Sequence, residues 1–369
     1  MSSPLLAEPG AVAGQDQDAG VAAHYGDPFA EQRALALRCG LVDRSHRGVL
    51  RITGPDRLSW LHSLTTQHLE KLPAGQTAEA LVLSPQGHVE HHLTQTDDGT
   101  AIWAHVEPGT LAALLQFLTS MKFMLRVEAQ DVTADYGVLT VLGPQVPAAL
   151  TGRAPAERAG GSEGTSDDAA PWAARLNADL GPGLPGADLI VPRSGLAAVA
   201  ARLRGEGAEL AGLWAYEALR IAAGRPRFGL DTDHRTIPHE VGWIETAVHL
   251  NKGCYRGQET VARVHNLGHP PRRLVLLHLD GSEDRLPGHG TPVTLDDDAP
   301  AGFTGSAGRH YELGPIALAM VKRTTPADAT LRADGIPAAQ EVIVSPDAGA
   351  NIQIELKRRR GDLMGRPRE

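Results

Sequence analysis

The chain has 369 residues, 42% of them apolar and 21% charged, enough for two or three domains with cores of their own. Its formal net charge of −9 argues against a general nucleic-acid binder, which needs a basic footprint, and no apolar run reaches the roughly 18 residues of a membrane span. Two distant cysteines, Cys39 and Cys254, make no disulfide framework and no CxxC pair, and the N-terminus lacks the basic-then-apolar order of a secretory signal, so a reducing, cytoplasmic setting is expected.

In chain order, residues 1–25 show little apolar periodicity and read as a disordered lead. Residues 48–54 alternate as a strand does, and Pro55-Asp56 then opens a helix with Leu58, Trp60, Leu61 and Leu64 on one side. Residues 80–84, a Pro85-Gln86-Gly87 turn and residues 88–94 predict a hairpin. A helix is expected over 111–124, strands over 136–143 and 187–191, and helices over 196–203 and 213–223. The low-complexity stretch 151–170 reads as an inserted surface loop. Without a regular βαβ rhythm, the class is α+β and not a doubly wound sheet. After Arg273 come short strands at 274–279, 291–295, 301–306, 316–321 and 341–344, separated by Gly, Pro and Asp. They predict a small β-barrel over 271–356, behind a boundary at His269-Pro270-Pro271 that closes a body spanning 26–270. The tail 357–369 begins Lys357-Arg358-Arg359-Arg360 and reads as a basic, solubilising end.

The segment richest in chemistry is Lys252-Gly253-Cys254-Tyr255-Arg256-Gly257-Gln258-Glu259, followed by the start of a helix at 259–264. A cysteine just before a helix, with cations on both sides, has its thiolate favoured by the dipole and the charges. The flanking glycines let backbone approach a ligand closely. A buried structural cysteine in a tight turn is the alternative. His88, His91 and His92 invite a metal reading, but a strand puts His88 and His92 on one face and His91 on the other. Two imidazoles without a third ligand make a poor zinc site, so no metal is expected. There is no Walker loop, dinucleotide fingerprint or GxSxG elbow.

The 252–259 segment resembles the K-G-C-Y-x-G-Q-E signature of the YgfZ family, and Val261-Ala262-Arg263 continues the likeness. Glu217-Ala-Leu-Arg-Ile-Ala-Ala-Gly-Arg-Pro226, with Pro238, resembles a stretch shared by YgfZ proteins and the glycine-cleavage aminomethyltransferase. Asp43-Arg-Ser, residues 48–57 and Trp60-Leu61 resemble that superfamily's opening. The resemblance runs from about residue 40 into the barrel. It implies two interleaved α+β domains around a central channel, plus a C-terminal β-barrel, with tetrahydrofolate or a derivative in the channel. Glu217 matches the pterin-binding glutamate, whose carboxylate accepts from two adjacent N–H groups. Arg220, Arg227 and Lys252 are candidates for the carboxylates of the folate tail, and Tyr216 for stacking on the ring. Cys254 becomes the catalytic or cluster-facing group, with Lys252, Arg256 and Gln258 shaping its surroundings and Gly253, Tyr255, Gly257 and Glu259 completing the motif.

The resemblance also separates two functions. The aminomethyltransferase carries an Asp-Asp pair on the strand after a Gly turn, one of which is catalytic. Aligned on Gly87, this chain reads Glu90-His91 there, which points away from glycine cleavage. The implied role is support of iron–sulfur cluster assembly or repair, and through it tRNA modification, with assembly proteins or client enzymes as partners. The alternative is a folate-dependent aminomethyltransferase or demethylase. Two cysteines are too few for this chain to hold a cluster by four thiolates.

Overall fold

The computed structural model describes residues 2–147, 150 and 171–349. The strands, in order, are β1 (Val12–Ala13), β2 (Ala22–His24), β3 (Gly40–Asp43), β4 (Gly48–Thr53), β5 (Thr77–Leu83), β6 (Val89–Asp97), β7 (Ala101–Val106), β8 (Glu128–Asp131), β9 (Tyr136–Leu142), β10 (Ala174–Asn177), β11 (Gly186–Pro192) and β12 (Glu209–Ala211). One five-stranded sheet has the order β10-β11-β9-β3-β12 and a second has β5-β6-β7-β4-β8. The chain enters the first sheet at β3, builds the whole second sheet, and returns with β9. The two α+β units are therefore interleaved, as the resemblance implied.

The second sheet is buried on both faces, with Val49 of β4 turned to a separate core from Leu50 and Ile52. In β4, Leu50 and Ile52 face a core that also holds Trp60 and Leu61 of α2 (Arg57–Leu64) and Leu111, Leu114 and Leu118 of α3 (Leu111–Ser120). These leucines sit at the spacing of one helix face, and each contributes about 1.5–3 kcal/mol by leaving water. α3 stops at Ser120, short of the expected 124, because Phe123 takes a left-handed φ of 46° and leads Met124 into solvent. Among the described residues the further helices are α1 (Pro28–Leu37), α4 (Leu196–Gly205), α5 (Leu213–Ala222), the single turn α6 (Trp243–Thr246) and α7 (Gln258–Leu267).

The C-terminal strands β13 (Arg272–Leu279), β14 (Pro292–Leu295), β15 (Pro300–His310), β16 (Gly314–Lys322), β17 (Leu331–Ala333) and β18 (Ile336–Val342) close into a barrel, β13-β16-β15-β14-β17-β18. β17 has three residues, too few to show a period in sequence, and β18 begins five residues ahead of the expected 341: Ile336 and Ala338 face the core, but the Pro337-Ala338-Ala339 run carries little strand signal.

The disordered lead is corrected. Residues 2–25 fold onto the body: Leu5 and Val21 are fully packed, β1 pairs with β2, and Ser3 Oγ donates to buried Asp43. The segment's apolar residues show no helix or strand period, yet Leu5, Val21, Ala22 and Ala23 are buried, and a reading by local period misses packing of that kind. The insert at 151–170, the barrel's expected end at 350–356 and the tail at 357–369 lie outside the described residues. Among the described residues no helix is long and apolar enough to cross a membrane.

Candidate functional site

Between the two sheets lies a cavity of ≈ 1610 Å³. β6 supplies His92 and Thr94, β7 His105, β11 Asp188, α5 Tyr216 and Arg220, the loop after α5 Arg227, the 3-10 turn (Pro238–Val241) His239, and α6 Trp243. Its deepest part is a buried charge network. Glu107 accepts from Arg47 Nη1 at 2.6 Å and from Arg227 Nε at 3.0 Å, and Arg227 also reaches Asp18 at 3.0 Å. Asp188 accepts from Thr140 Oγ1 at 2.5 Å and Arg44 Nη1 at 3.2 Å, with His105 Nε2 at 2.8 Å. Arg47 Nε donates to His105 Nδ1 at 3.0 Å, which leaves the ring proton on Nε2, facing Asp188. Burial alone would raise both carboxyls; the arginines outweigh it and hold Glu107 and Asp188 well below the usual carboxylate range.

Burial acts the other way on imidazoles. It pushes His91, His105 and His239 down to about 4, with Arg47 and Arg44 adding to the effect at His105. All three are neutral in the fold, whereas in the unfolded chain they take a proton near pH 6.5. The unfolded state thus binds more protons as pH falls from about 6.5 to about 4, and stability drops over that window. Glu79 and Asp18, brought down to about 2 against the effect of burial by His92 and by His46 with Arg227, extend the loss to lower pH. Urea midpoints are expected to fall steadily from pH 7.5 to 4.5; a flat profile would contradict the buried neutral histidines.

Of the residues singled out from sequence, Tyr216, Arg220 and Arg227 meet in the cavity wall. Tyr216 is buried, with Arg44 lying over its ring at 4.6 Å. Glu217 is not among the lining residues. Its Oε2 accepts from Arg220 Nη2 at 2.7 Å and lies 3.2 Å from Arg227 Nη1, so it positions two arginines of the wall.

The 252–259 motif stands outside the cavity wall. Cys254 is a free, exposed cysteine. Lys252 is buried, and its Nζ donates to the carbonyls of His62, Thr65 and Gln67, with burial pushing it down to about 8. Arg256 pairs with Glu90 at 2.9 Å and lies over Phe117. Both cations expected to favour the Cys254 thiolate are thus engaged elsewhere. Tyr255 packs with Leu81, Leu83, Val89 and Trp243. Gly257 takes a φ of 82° as the N-cap of α7, where a Cβ would sit 2.5 Å from the Ser84 carbonyl oxygen. No other residue permits both the left-handed turn and that contact. Gln258 and Glu259 open α7, and Gly253 has open space around it.

The reading of β6 is also corrected. Pairing passes from Val82–His91 to Leu83–Val89, which makes Glu90 the extra residue of a bulge. Counting faces from the turn therefore fails. Glu90 sits at the surface with Arg256, and His91 lies 6.4 Å from Phe117. His92 is the one of the three that lines the cavity, stacked on Trp243 at 4.6 Å with its Nε2 3.5 Å from Glu79. Sequence reasoning missed Glu79, His105, Glu107 and Asp188. Asp188 and His105 carried a signal, since each is a polar residue inside an apolar strand.

Residues 6–160 match the GCVT N-terminal domain. A candidate transferase of the Arabidopsis thaliana chloroplast is 28% identical over 292 residues, 77% of this chain; the match spans 65% of that relative, less than two thirds of its length. Aminomethyltransferases of Synechococcus sp. (strain WH7803) and Rubrobacter xylanophilus (strain DSM 9941) are each 29% identical, over 79% and 82% of this chain and 82% and 81% of their own. The glycine cleavage system aminomethyltransferase T from Bartonella henselae superposes with a TM-score of 0.74 at 19% identity, over 92% of this chain and 95% of that one. Residues 6–160 are thus similar to the GCVT N-terminal domain, and the chain shares the fold of the Bartonella henselae protein.

Proposed function

We propose that this chain binds a reduced folate in the central cavity and serves as a YgfZ-type accessory protein to iron–sulfur enzymes, without cleaving glycine. The observation that carries the folate reading is the cavity itself. At ≈ 1610 Å³ it exceeds the roughly 300–1,000 Å³ of ordinary ligand pockets and so has room for a flat bicyclic ring with a long anionic tail. Its wall also holds buried polar atoms left unsatisfied among the described residues: both ring nitrogens of His239 lack a hydrogen-bond partner. A polar heterocycle supplies such partners. The stacked His92–Trp243 pair offers a flat surface beside them. Arg225, which lines both the cavity and a recess next to it, is the cation best placed for the tail carboxylates. When bound, a reduced folate supplies a carrier for one-carbon groups. The protein's part is to orient it, with Glu79 holding the His92 ring and the Arg44–Asp188–His105 network fixing the wall.

The link to iron–sulfur enzymes rests on the resemblance of the 252–259 motif, with Cys254 in an exposed loop held in place by Lys252. A second reading, folate-dependent aminomethyl transfer, is favoured by the names of the relatives. It needs a carboxylate free to act on the folate nitrogens. The buried carboxylates of the wall are engaged: Glu107 and Asp188 are each bound by arginine, and Glu79 is held by His92 and Thr246; Asp179 accepts from the Gly186 amide, Glu245 is exposed, and β6 presents an imidazole. Incubation with the aminomethyl-lipoyl carrier protein and tetrahydrofolate is expected to yield no methylene-tetrahydrofolate above background; robust formation would overturn the accessory reading in favour of the second.

A further inference from the structure

α2 and the loop after it gather ligating side chains that the folate reading does not use. His62, His68 and Glu70 each bring a donor atom to within 4.8 Å of the others. The rings of His62 and His68 meet edge to face at 4.7 Å, and the His249 ring lies 5.2 Å beyond His68. Among the described residues these three are the one such group, and none of the strand histidines belongs to it. We propose that His62, His68 and Glu70, with His249 or water in the fourth position, form a binding site for a divalent transition-metal ion of the zinc type.

Two imidazoles and a carboxylate are a common zinc ligand set, and a ligand set that leaves one position open is the mark of a catalytic-type site. Zinc bonds of about 2.0–2.1 Å place donors roughly 3.4 Å apart, so the cluster closes on an ion by side-chain rotation on the order of 1 Å. The backbone is already fixed for this. Lys252 Nζ donates to the carbonyls of His62, Thr65 and Gln67, and the His249 amide donates to Thr66 at 2.9 Å. The motif lysine thus ties the segment carrying His62 and His68 to the one carrying His249. Its positive charge opposes a cation nearby; the three carbonyls it contacts and the Glu70 carboxylate offset that. His68 and His249 also line a recess of ≈ 510 Å³ that shares Glu79 and Thr246 with the central cavity, so the open position faces accessible space. Loading has one visible consequence. His62 Nδ1 accepts the Leu69 amide at 3.2 Å. A metal on Nδ1 displaces that bond, and a metal on Nε2 puts the ring proton on Nδ1, so either mode breaks it.

The site stands independently of the folate reading. The test uses untagged full-length protein, stripped with chelator and desalted, then titrated with Co²⁺ followed by visible absorption and with Zn²⁺ followed by calorimetry. One equivalent per chain is expected, with a visible band of four- or five-coordinate Co²⁺ and a shift of the Leu69 amide resonance on Zn²⁺ addition. His68→Ala, with an unchanged melting temperature in the absence of metal, is expected to weaken binding about 100-fold or more. Absence of stoichiometric binding overturns the proposal. So does binding that survives in both His62→Ala and His68→Ala, because the ion would then sit elsewhere.

Discussion

Glu107→Ala is expected to lower the free energy of unfolding by about 3–5 kcal/mol, the scale seen when one partner of a buried ion pair is removed. Glu107 is buried and joins two arginines that approach from distant parts of the chain, Arg47 and Arg227. Without it, Arg47 keeps only the His105 ring nitrogen as a partner within the network, and Arg227 keeps Asp18 and Glu217. The cost arises from stranding desolvated guanidinium groups. Exposed pairs lack that cost: Arg202–Glu206, on the outer face of α4, should contribute no more than about 0.5 kcal/mol. Urea unfolding of Glu107→Ala beside Glu206→Ala measures the difference directly. A loss below about 1 kcal/mol at Glu107 would mean that the network carries little of the fold's stability.

Cys254→Ser is expected to abolish the support of iron–sulfur enzymes while leaving the folded protein intact. Cys254 is exposed, and its loop is held by groups other than the thiol: the buried Lys252 ammonium, the Arg256–Glu90 pair and the Gly257 turn. Replacing an exposed side chain away from any packed contact changes stability by about 0.5 kcal/mol or less, so the melting temperature should stay within a few degrees. Folate binding should also persist, because no residue of the 252–259 motif lines the cavity. A deletion strain carrying the Ser variant should then fail to recover cluster-enzyme activity, while Cys39→Ser, at a buried position with no motif around it, should rescue. Full rescue by Cys254→Ser would reduce that residue to an ordinary surface cysteine.

The elements with a local period were legible in the sequence. The alternation of β4, the apolar face of α3 and the short strands between Gly and Pro turns of the barrel stand close to where they were expected. The interleaving of the sheets was available only through the resemblance, since no local pattern says that β9 returns beside β3. The site was half legible. Tyr216, Arg220 and Arg227 fall together because they lie within twelve residues on α5 and its following loop. Glu107 pairs with Arg47 across 60 positions and with Arg227 across 120, and pairings at that range leave no trace in composition or period. A single bulge residue, Glu90, moved the cavity-facing position of β6 to His92. The motif cations were read as partners for Cys254 because they are its neighbours in sequence; in the fold their side chains extend away, to carbonyls and to Glu90.

Calorimetric titration of the full-length protein with 5-formyltetrahydrofolate tests the central claim most directly. One site per chain is expected, with a dissociation constant in the micromolar range, equivalent to about −8 kcal/mol. Thr94→Trp, which places a large ring in the cavity wall, should remove the heat of binding while the protein remains folded. No binding by the wild-type chain at millimolar ligand, or undiminished binding by Thr94→Trp, would contradict a folate site in the central cavity.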